Sequence, residues 1–351
     1  MEGATEPTRS DEGADQAGLA ALRTLLRGVQ LTGLIGAAAT FGLADRIGAE
    51  PRPLEALAAE TAAAPDRLER LLRALAAFGV FALDAERRVS HTALSRWLRT
   101  DSLPSLHHAA RYWASPGTFA AWSAFAAALR GGPPPLVAAT GESFFDYLAA
   151  RPEEAAIFDA FMRESPDDRH AAVADALDTE GVRRVVDVGG GEGGLAAALL
   201  QANPGLEAVL LERGPVALRA AERLAGLGLA SRCRIVPGDF FSAVPEGGDL
   251  YTLSQILHDW DDADAARILA LCRAAMAPGG RVAVIERLLP PFGCERDDPA
   301  AFLADTHMLA ILPGRERSRD DYAALFRRAG LASPDLVPTR SAFAILLAGS
   351  A

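Results

Sequence analysis

Asp187-Val188-Gly189-Gly190-Gly191-Glu192-Gly193-Gly194 is the stretch on which the fold turns. It follows a short apolar strand and opens a helix, and its glycines let backbone N–H groups come close to a ligand at a helix N-terminus. Working outward, the chain from Gly181 alternates short apolar runs with helical patterns, the signature of a parallel, doubly wound sheet. The predicted strands are Val185–Val188, Ala208–Leu211, Cys233–Val236, Leu250–Leu253 and Arg281–Ile285, with helices between them. Asp335–Thr339 and Phe343–Leu347 are expected to close the sheet edge as a hairpin. The fold class is α/β, with residues 181–351 as a Rossmann-like domain.

Upstream the texture is helical. Residues 1–18 are acidic, lack an apolar signal core and read as a disordered tail. Residues 19–100 read as a helical domain in which Asp66 is expected to cap an amphipathic helix carrying Leu68, Leu71, Leu72 and Leu75 on one face. Gly79 ends that helix. Val80–Leu83 and Arg88–Ser90 then flank the turn-like Asp84-Ala85-Glu86, a hairpin after a helix as in a winged helix. Residues 101–180 are again helical and rich in aromatic residues, a linker that supplies either core or the wall of a pocket for a flat apolar ligand.

Composition removes several mechanisms. The 351 residues contain 35 Lys plus Arg, all of them Arg. No lysine Schiff base, phosphate-loop lysine or lysine general base is therefore available. With 46 acidic residues the net charge is −11, which argues against a polyanion as the main partner. Residues 19–100 alone balance 11 Arg against 8 acids, so a winged-helix DNA-binding regulator stays open as a reading from another class. Three scattered cysteines, Cys233, Cys272 and Cys294, make no metal-ligand spacing and fit a reducing compartment. His91, His107, His108, His170 and His307 form no metal motif, and no metal is expected. The longest apolar run, Leu31–Ala44, has 14 residues, where about 20 are needed to cross a bilayer. The expectation is a cytoplasmic protein with no membrane and no nucleic-acid partner.

The glycine stretch admits two ligands. Gly189, Gly191 and Gly194 satisfy the dinucleotide pattern G-x-G-x-x-G, and Glu212, 21 residues after Gly191, stands where an acid would hold a ribose diol. A pyrophosphate would avoid negative charge, yet Asp187 and Glu192 flank the loop. A ligand with an ammonium group, such as the amino-acid end of S-adenosylmethionine, suits it better than a nicotinamide dinucleotide. Gly238-Asp239-Phe240 follows a strand, offering a carboxylate to an adenine amino group and a ring to stack on it. Ile256-Leu257-His258-Asp259-Trp260-Asp261-Asp262 ends the next strand, where ligands lie in such sheets. Ala277-Pro278-Gly279-Gly280-Arg281 is a helix stop leading into a strand.

Together these segments resemble the metal-independent, adenosylmethionine-dependent small-molecule O-methyltransferases of plant phenylpropanoid and bacterial natural-product pathways, over nearly the whole chain. The resemblance implies a class I methyltransferase domain and a winged-helix-like N-terminal dimerisation domain, hence a homodimer. It also implies an aromatic acceptor methylated on a phenolic hydroxyl, with S-adenosylhomocysteine as product. On this basis Asp187, Gly189 and Gly191 would bind the methionine end, Glu212 the ribose, and Asp239 with Phe240 the adenine, Trp260 being either core or an adenine platform. Ser254 stands four residues before His258, where many plant relatives carry lysine, and can hydrogen-bond the cofactor without adding charge. His258 would be the catalytic base and Glu286 and Glu316 its carboxylate partners, while Phe161, Met162, Asp305 and Met308 would line the acceptor pocket. Some family members keep the cofactor for other chemistry such as hydroxylation, and some of those lack the histidine; its presence here points to methyl transfer.

The role of His258 also follows from acidity. A phenol of pKa about 10 is about 0.1% ionised at pH 7, a deficit of about 4 kcal/mol. A histidine near its ordinary pKa of about 6.5 is largely neutral there and can take the proton, worth about 10² to 10⁴ in rate. Glu286 and Glu316 would orient the ring and stabilise its cation. Asp261 and Asp262 read as N-caps of the helix that follows.

Overall fold

The computed structural model describes residues 9–163, 169–294 and 296–351. Two units form, one running to Phe119 and including Arg151–Pro166, the other made of Ala120–Ala150 and Asp167–Ala351. The segment 101–180, read from the sequence as one linker region, is thus divided between them.

In the first unit the expected disordered tail needs correction. Residues 1–8 lie outside the described residues, but Arg9–Leu25 is a helix. From Gln16 onward Ala, Leu and Arg are strong helix formers, and Leu19, Leu22 and Leu25 recur at a spacing of three although all are exposed. The amphipathic helix is Pro65–Ala77. Pro65 opens it and Ala64 is its cap, so Asp66 lies inside the first turn, where its charge suits the positive helix end instead of capping it. Leu68, Leu72 and Leu75 face the core, and Gly79 closes the helix at φ 72°. Strand β1 (Arg52–Pro53), β2 (Phe81–Leu83) and β3 (Arg88–His91) form a small antiparallel sheet in the order β1-β3-β2, with Phe81 opposite His91. The hairpin sits where the turn-like Asp84-Ala85-Glu86 between two short apolar runs placed it.

The second unit carries the predicted sheet. Its strands are β4 (Arg184–Val188), β5 (Glu207–Glu212), β6 (Cys233–Pro237), β7 (Gly248–Ser254), β8 (Met276–Glu286), β9 (Asp335–Pro338) and β10 (Ala344–Gly349). The order is β6-β5-β4-β7-β8-β10-β9, parallel through β8, with β10 antiparallel to both neighbours. The strands read as continuous apolar runs because both faces are covered. Val186, Val188, Tyr251, Leu253, Val282 and Val284 serve one layer of core, while Val185, Leu210, Leu250, Ala283 and Ile285 serve the other. The winding direction reverses between β4 and β7, so the crevice for a ligand opens beyond the carboxyl ends of those two strands. The glycine stretch and the His258 segment both leave the sheet there.

Tyr251 on β7 is fully buried, and its hydroxyl lies 2.6 Å from the carbonyl oxygen of Pro245 and 2.7 Å from that of Ala275 while accepting from the Gly248 N–H at 3.2 Å. Tyr251→Phe leaves these groups unsatisfied and is expected to lower the unfolding free energy by about 1–3 kcal/mol. Urea titration reads this directly, and an unchanged midpoint would contradict it.

Candidate active site

The glycine loop is shaped by φ values that only glycine adopts without strain: 67° at Gly189, 56° at Gly191 and 77° at Gly193. Gly189 donates its N–H to the Leu211 carbonyl at 2.8 Å, and a Cβ there would meet Ile256 Cδ1 at 2.6 Å and Phe240 Cε1 at 3.6 Å. Space above Gly191 is open. Its N–H donates to Glu212 Oε2 at 2.9 Å, while Oε1 accepts from the Arg213 N–H at 2.7 Å, so the structure brings together the pair whose spacing suggested it. The two carboxylates expected to flank the loop are differently employed. Asp187 is fully buried beneath it, Oδ1 accepting from Thr252 Oγ1 at 2.7 Å, and burial pushes it up to about 6. Glu192 pairs with Arg219 Nε at 3.1 Å.

Asp239 is exposed and holds the turn after β6 by accepting from the Phe241 N–H at 2.9 Å. Phe240 meets Trp260 edge-on at 5.9 Å, and Phe241 meets the same indole at 4.6 Å. All three rings pack partly buried against the core. Ser254 ends β7 opposite Ile285 of β8.

His258 is buried in the short 3₁₀ turn Leu257–Asp259. Before it, Gln255 adopts φ 55°, a strained conformation for a residue with a Cβ. Glu286, at the end of β8 and fully buried, accepts on Oε1 from the backbone N–H groups of Ile256, Leu257 and His258 at 3.2, 3.0 and 3.3 Å. His258 Nδ1 lies 2.9 Å from Glu316 Oε1 and 3.6 Å from Glu286 Oε2, and Nε2 lies 3.3 Å from Asp259 Oδ1. Burial alone would lower the histidine, but Glu286, Glu316 and Asp259 outweigh it and raise His258 to about 10. The expectation of a ring near its ordinary acidity is thereby corrected in direction: the three carboxylates around it favour the imidazolium. Burial in turn pushes Glu286 up to about 7 against the pull of His258, and Asp259 up to about 6.

Helix Pro299–Ile311 carries Asp305 and buried Met308. Asp305 Oδ1 accepts from the Glu316 N–H at 3.0 Å, so this residue braces the segment bearing Glu316. His307, on the same helix, stacks on Trp122 at 6.2 Å, and burial together with the charge of His258 lowers it to about 4. Phe161 and Met162 lie on helix Pro152–Arg163 of the first unit, where Phe161 stacks on Tyr112 at 4.7 Å. Asp261 is the N-cap of helix Asp262–Ala275, accepting from the N–H groups of Ala263 and Asp264, whereas Asp262 is its first residue and pairs with Arg315 and Arg317. The sequence reading missed Thr252, Gln255, Asp259, His307 and Arg317. Asp259, inside the quoted His258 segment, and Arg317, next to Glu316, carried a signal.

Potential metal-ligand atoms of His258, Glu286 and Glu316 lie within 4.8 Å of one another. Nδ1 faces Glu316 Oε1 in a hydrogen bond, and Glu286 Oε1 is surrounded by three N–H donors. The other oxygen of each carboxylate, Glu286 Oε2 and Glu316 Oε2, is buried without a hydrogen-bond partner and faces the ring only through charge.

Strand order and loop position are those of the class I methyltransferases. The chain belongs to the O-methyltransferase family: residues 122–332 match its O-methyltransferase domain and residues 24–101 its O-methyltransferase dimerisation domain. It is 38% identical over 308 residues to the mitomycin biosynthesis 6-O-methyltransferase of Streptomyces lavendulae, covering 88% of this chain and 87% of that one. The structure of mitomycin 7-O-methyltransferase superposes with a TM-score of 0.91 at 35% identity, over 97% of this chain and 100% of that one. An O-methyltransferase from neocarzinostatin biosynthesis, solved with S-adenosylmethionine and 2-hydroxy-5-methyl naphthoic acid, gives 0.82 at 33% identity over 94% and 98%. Relatives also include the aclacinomycin 10-hydroxylase of Streptomyces purpurascens, 36% identical over 84% of this chain and 79% of that one.

Because His258 rises from its ordinary 6.5 to about 10 on folding, the folded chain holds this proton more tightly than the unfolded one. Its stabilisation is complete below the ordinary value and is lost as pH rises through the folded value. The thermal midpoint of the ligand-free protein is expected to fall from about pH 7 to about pH 10 more steeply than that of His258→Gln. Parallel curves would contradict the cluster.

Proposed function

We propose that the chain transfers the methyl group of S-adenosylmethionine to a phenolic hydroxyl of an aromatic small molecule of natural-product type, with His258 as general base. The observation that carries this reading is the carboxylate-braced imidazole, Nδ1 at 2.9 Å from Glu316, at the end of the strand beside the glycine loop. Open space over Gly191, the Glu212 carboxylate beside it, exposed Asp239 and the Phe240 ring suit the methionine, ribose and adenine parts of the cofactor in turn. Asp187 acts from beneath, stiffening the loop, and Ser254 offers a hydroxyl at the end of β7. Asp305 and Met308 of the second unit are assigned to the acceptor; for Phe161 and Met162, in the first unit, the assignment rests on the resemblance alone.

When bound, adenosylmethionine supplies an electrophilic methyl on a positively charged sulfur. Beside that charge the imidazolium of His258 is disfavoured, and its proton is held less tightly than in the ligand-free chain. Glu316 and Glu286 keep Nδ1–H oriented, so Nε2 is the nitrogen that takes the hydroxyl proton. Holding oxygen and methyl in line is worth roughly 7–11 kcal/mol, more than the base itself. Self-association is assigned to the dimerisation domain, where Leu25, Leu26 and Val29 are exposed, as are Leu19 and Leu22 just before it. No nucleic-acid partner is proposed: Arg87 of the small hairpin pairs with Glu55 and Glu69, and the Arg88 guanidinium with the Pro51 carbonyl. No helix among the described residues is long and apolar enough to cross a membrane.

His258→Ala is expected to lower turnover at least about a hundredfold with nearly unchanged affinity for adenosylmethionine; equal turnover removes the assigned role. Asp239→Ala is expected to weaken adenosylmethionine binding in calorimetry, and an unchanged dissociation constant rejects the adenine assignment. The test of the whole reading is mass spectrometry after incubation with methyl-labelled cofactor and a panel of hydroxynaphthoates, hydroxyphenazines and hydroxyquinones. Labelled ether product and adenosylhomocysteine are expected; a hydroxylated product without adenosylhomocysteine would overturn it.

A further inference from the structure

The segment Gly314-Arg315-Glu316-Arg317 lies along the His258 turn and touches it at three levels. A Cβ on Gly314 would lie 1.8 Å from the His258 carbonyl oxygen and 2.4 Å from the Asp259 carbonyl carbon, so only glycine permits the approach. Glu316 reaches the imidazole. Arg317, fully buried, turns the other way: Nη1 donates to the Leu257 carbonyl at 2.8 Å and Nη2 to the Trp260 carbonyl at 2.8 Å. Its Nε and Nη2 also donate to Asp262 Oδ1 at 2.9 and 2.8 Å, which fixes the plane of the fork. The backbone of Arg317 is in turn tied to the strand end, its carbonyl accepting from the Leu289 N–H at 3.0 Å.

The turn satisfies only part of its own backbone, the Asp259 N–H donating to the Ile256 carbonyl at 3.2 Å and the Trp260 N–H to the Leu257 carbonyl at 3.3 Å. Glu286 takes the N–H groups on one side and Arg317 the carbonyls on the other, so the backbone carrying His258 is gripped from both ends. A lysine in this place would be a single point charge and could not span two carbonyls and a carboxylate in one plane. We infer that Arg317 is a positioning residue for methyl transfer, holding the His258 turn so that Nδ1 stays on Glu316 and Nε2 stays aimed at the acceptor, with Gly314 and Asp262 as the parts that let it do so. The inference rests on the assignment of His258 as base.

The test is a double-mutant cycle with Arg317→Met and His258→Ala, using as acceptor the panel phenol with the highest turnover and the full-length protein loaded with labelled adenosylmethionine. Arg317→Met is expected to lower kcat at least tenfold while changing the acceptor KM and the adenosylmethionine Kd less than threefold, and to shift the basic limb of the kcat profile with pH. In the His258→Ala background the same change is expected to cost less than twofold, because the residue it positions is gone. Arg317→Lys should not restore kcat. If Arg317→Met does not fold, Gly314→Ala and the exposed-side change Asp262→Asn are carried through the same cycle with the same expectation. Full turnover in His258→Ala sinks the base assignment and the inference with it. A crippled His258→Ala with equal Arg317 losses in both backgrounds sinks the positioning role alone.

Discussion

Glu286 is the carboxylate on which the C-terminal unit depends. It ends β8, has no contact with solvent, and gathers three backbone N–H groups from the turn that follows β7, so the carboxyl ends of two adjacent strands are joined through one side chain. A buried acid with this many donors is stable only while its partners remain, and removing one side of such an arrangement costs roughly 3–5 kcal/mol. The same carboxyl group lies 3.6 Å from His258 Nδ1. Fold and chemistry therefore share one residue.

The charge balance around His258 follows from this placement. Three acids and one imidazole share a largely buried region in which Asp259 keeps some exposure, and the acids favour a proton on the ring. An imidazolium is the wrong form for a base. On the proposed reading, the positive sulfur that adenosylmethionine would bring to the neighbouring glycine loop would lower the proton affinity of the ring.

Much of the fold was legible because buried parallel strands are written as uninterrupted apolar runs, as in Val185-Val186 and Val282–Ile285, with glycine after them. All seven strands of the large sheet overlap the predicted ones, but β8 starts at Met276, so that Ala277-Pro278-Gly279-Gly280, read as a helix stop, already lies in the strand. The helix from Arg9 was not legible, since its residues 16–25 are all exposed and leave no buried apolar face to read. Within the site, Glu212 was found through its spacing from Gly191, and His258 through its place at a strand end. Arg317, Gly314 and Asp262 act by contacts between segments some 55 residues apart; Asp262 was read only as a helix cap and Gly314 and Arg317 only as neighbours of Glu316, because no local pattern encodes those contacts. The raised proton affinity of His258 was misread for the same reason: it belongs to carboxylates delivered by β8 and by the segment after helix Pro299–Ile311.

The most direct measurement is the nitrogen-15 NMR titration of histidine-labelled protein, followed at His258, in the ligand-free state, with S-adenosylmethionine and with S-adenosylhomocysteine. The account predicts an imidazolium persisting well above the ordinary histidine range in the ligand-free protein, a clear downward shift with the charged cofactor, and little shift with its uncharged product. A ring that titrates near its ordinary value of about 6.5 in all three states would contradict it.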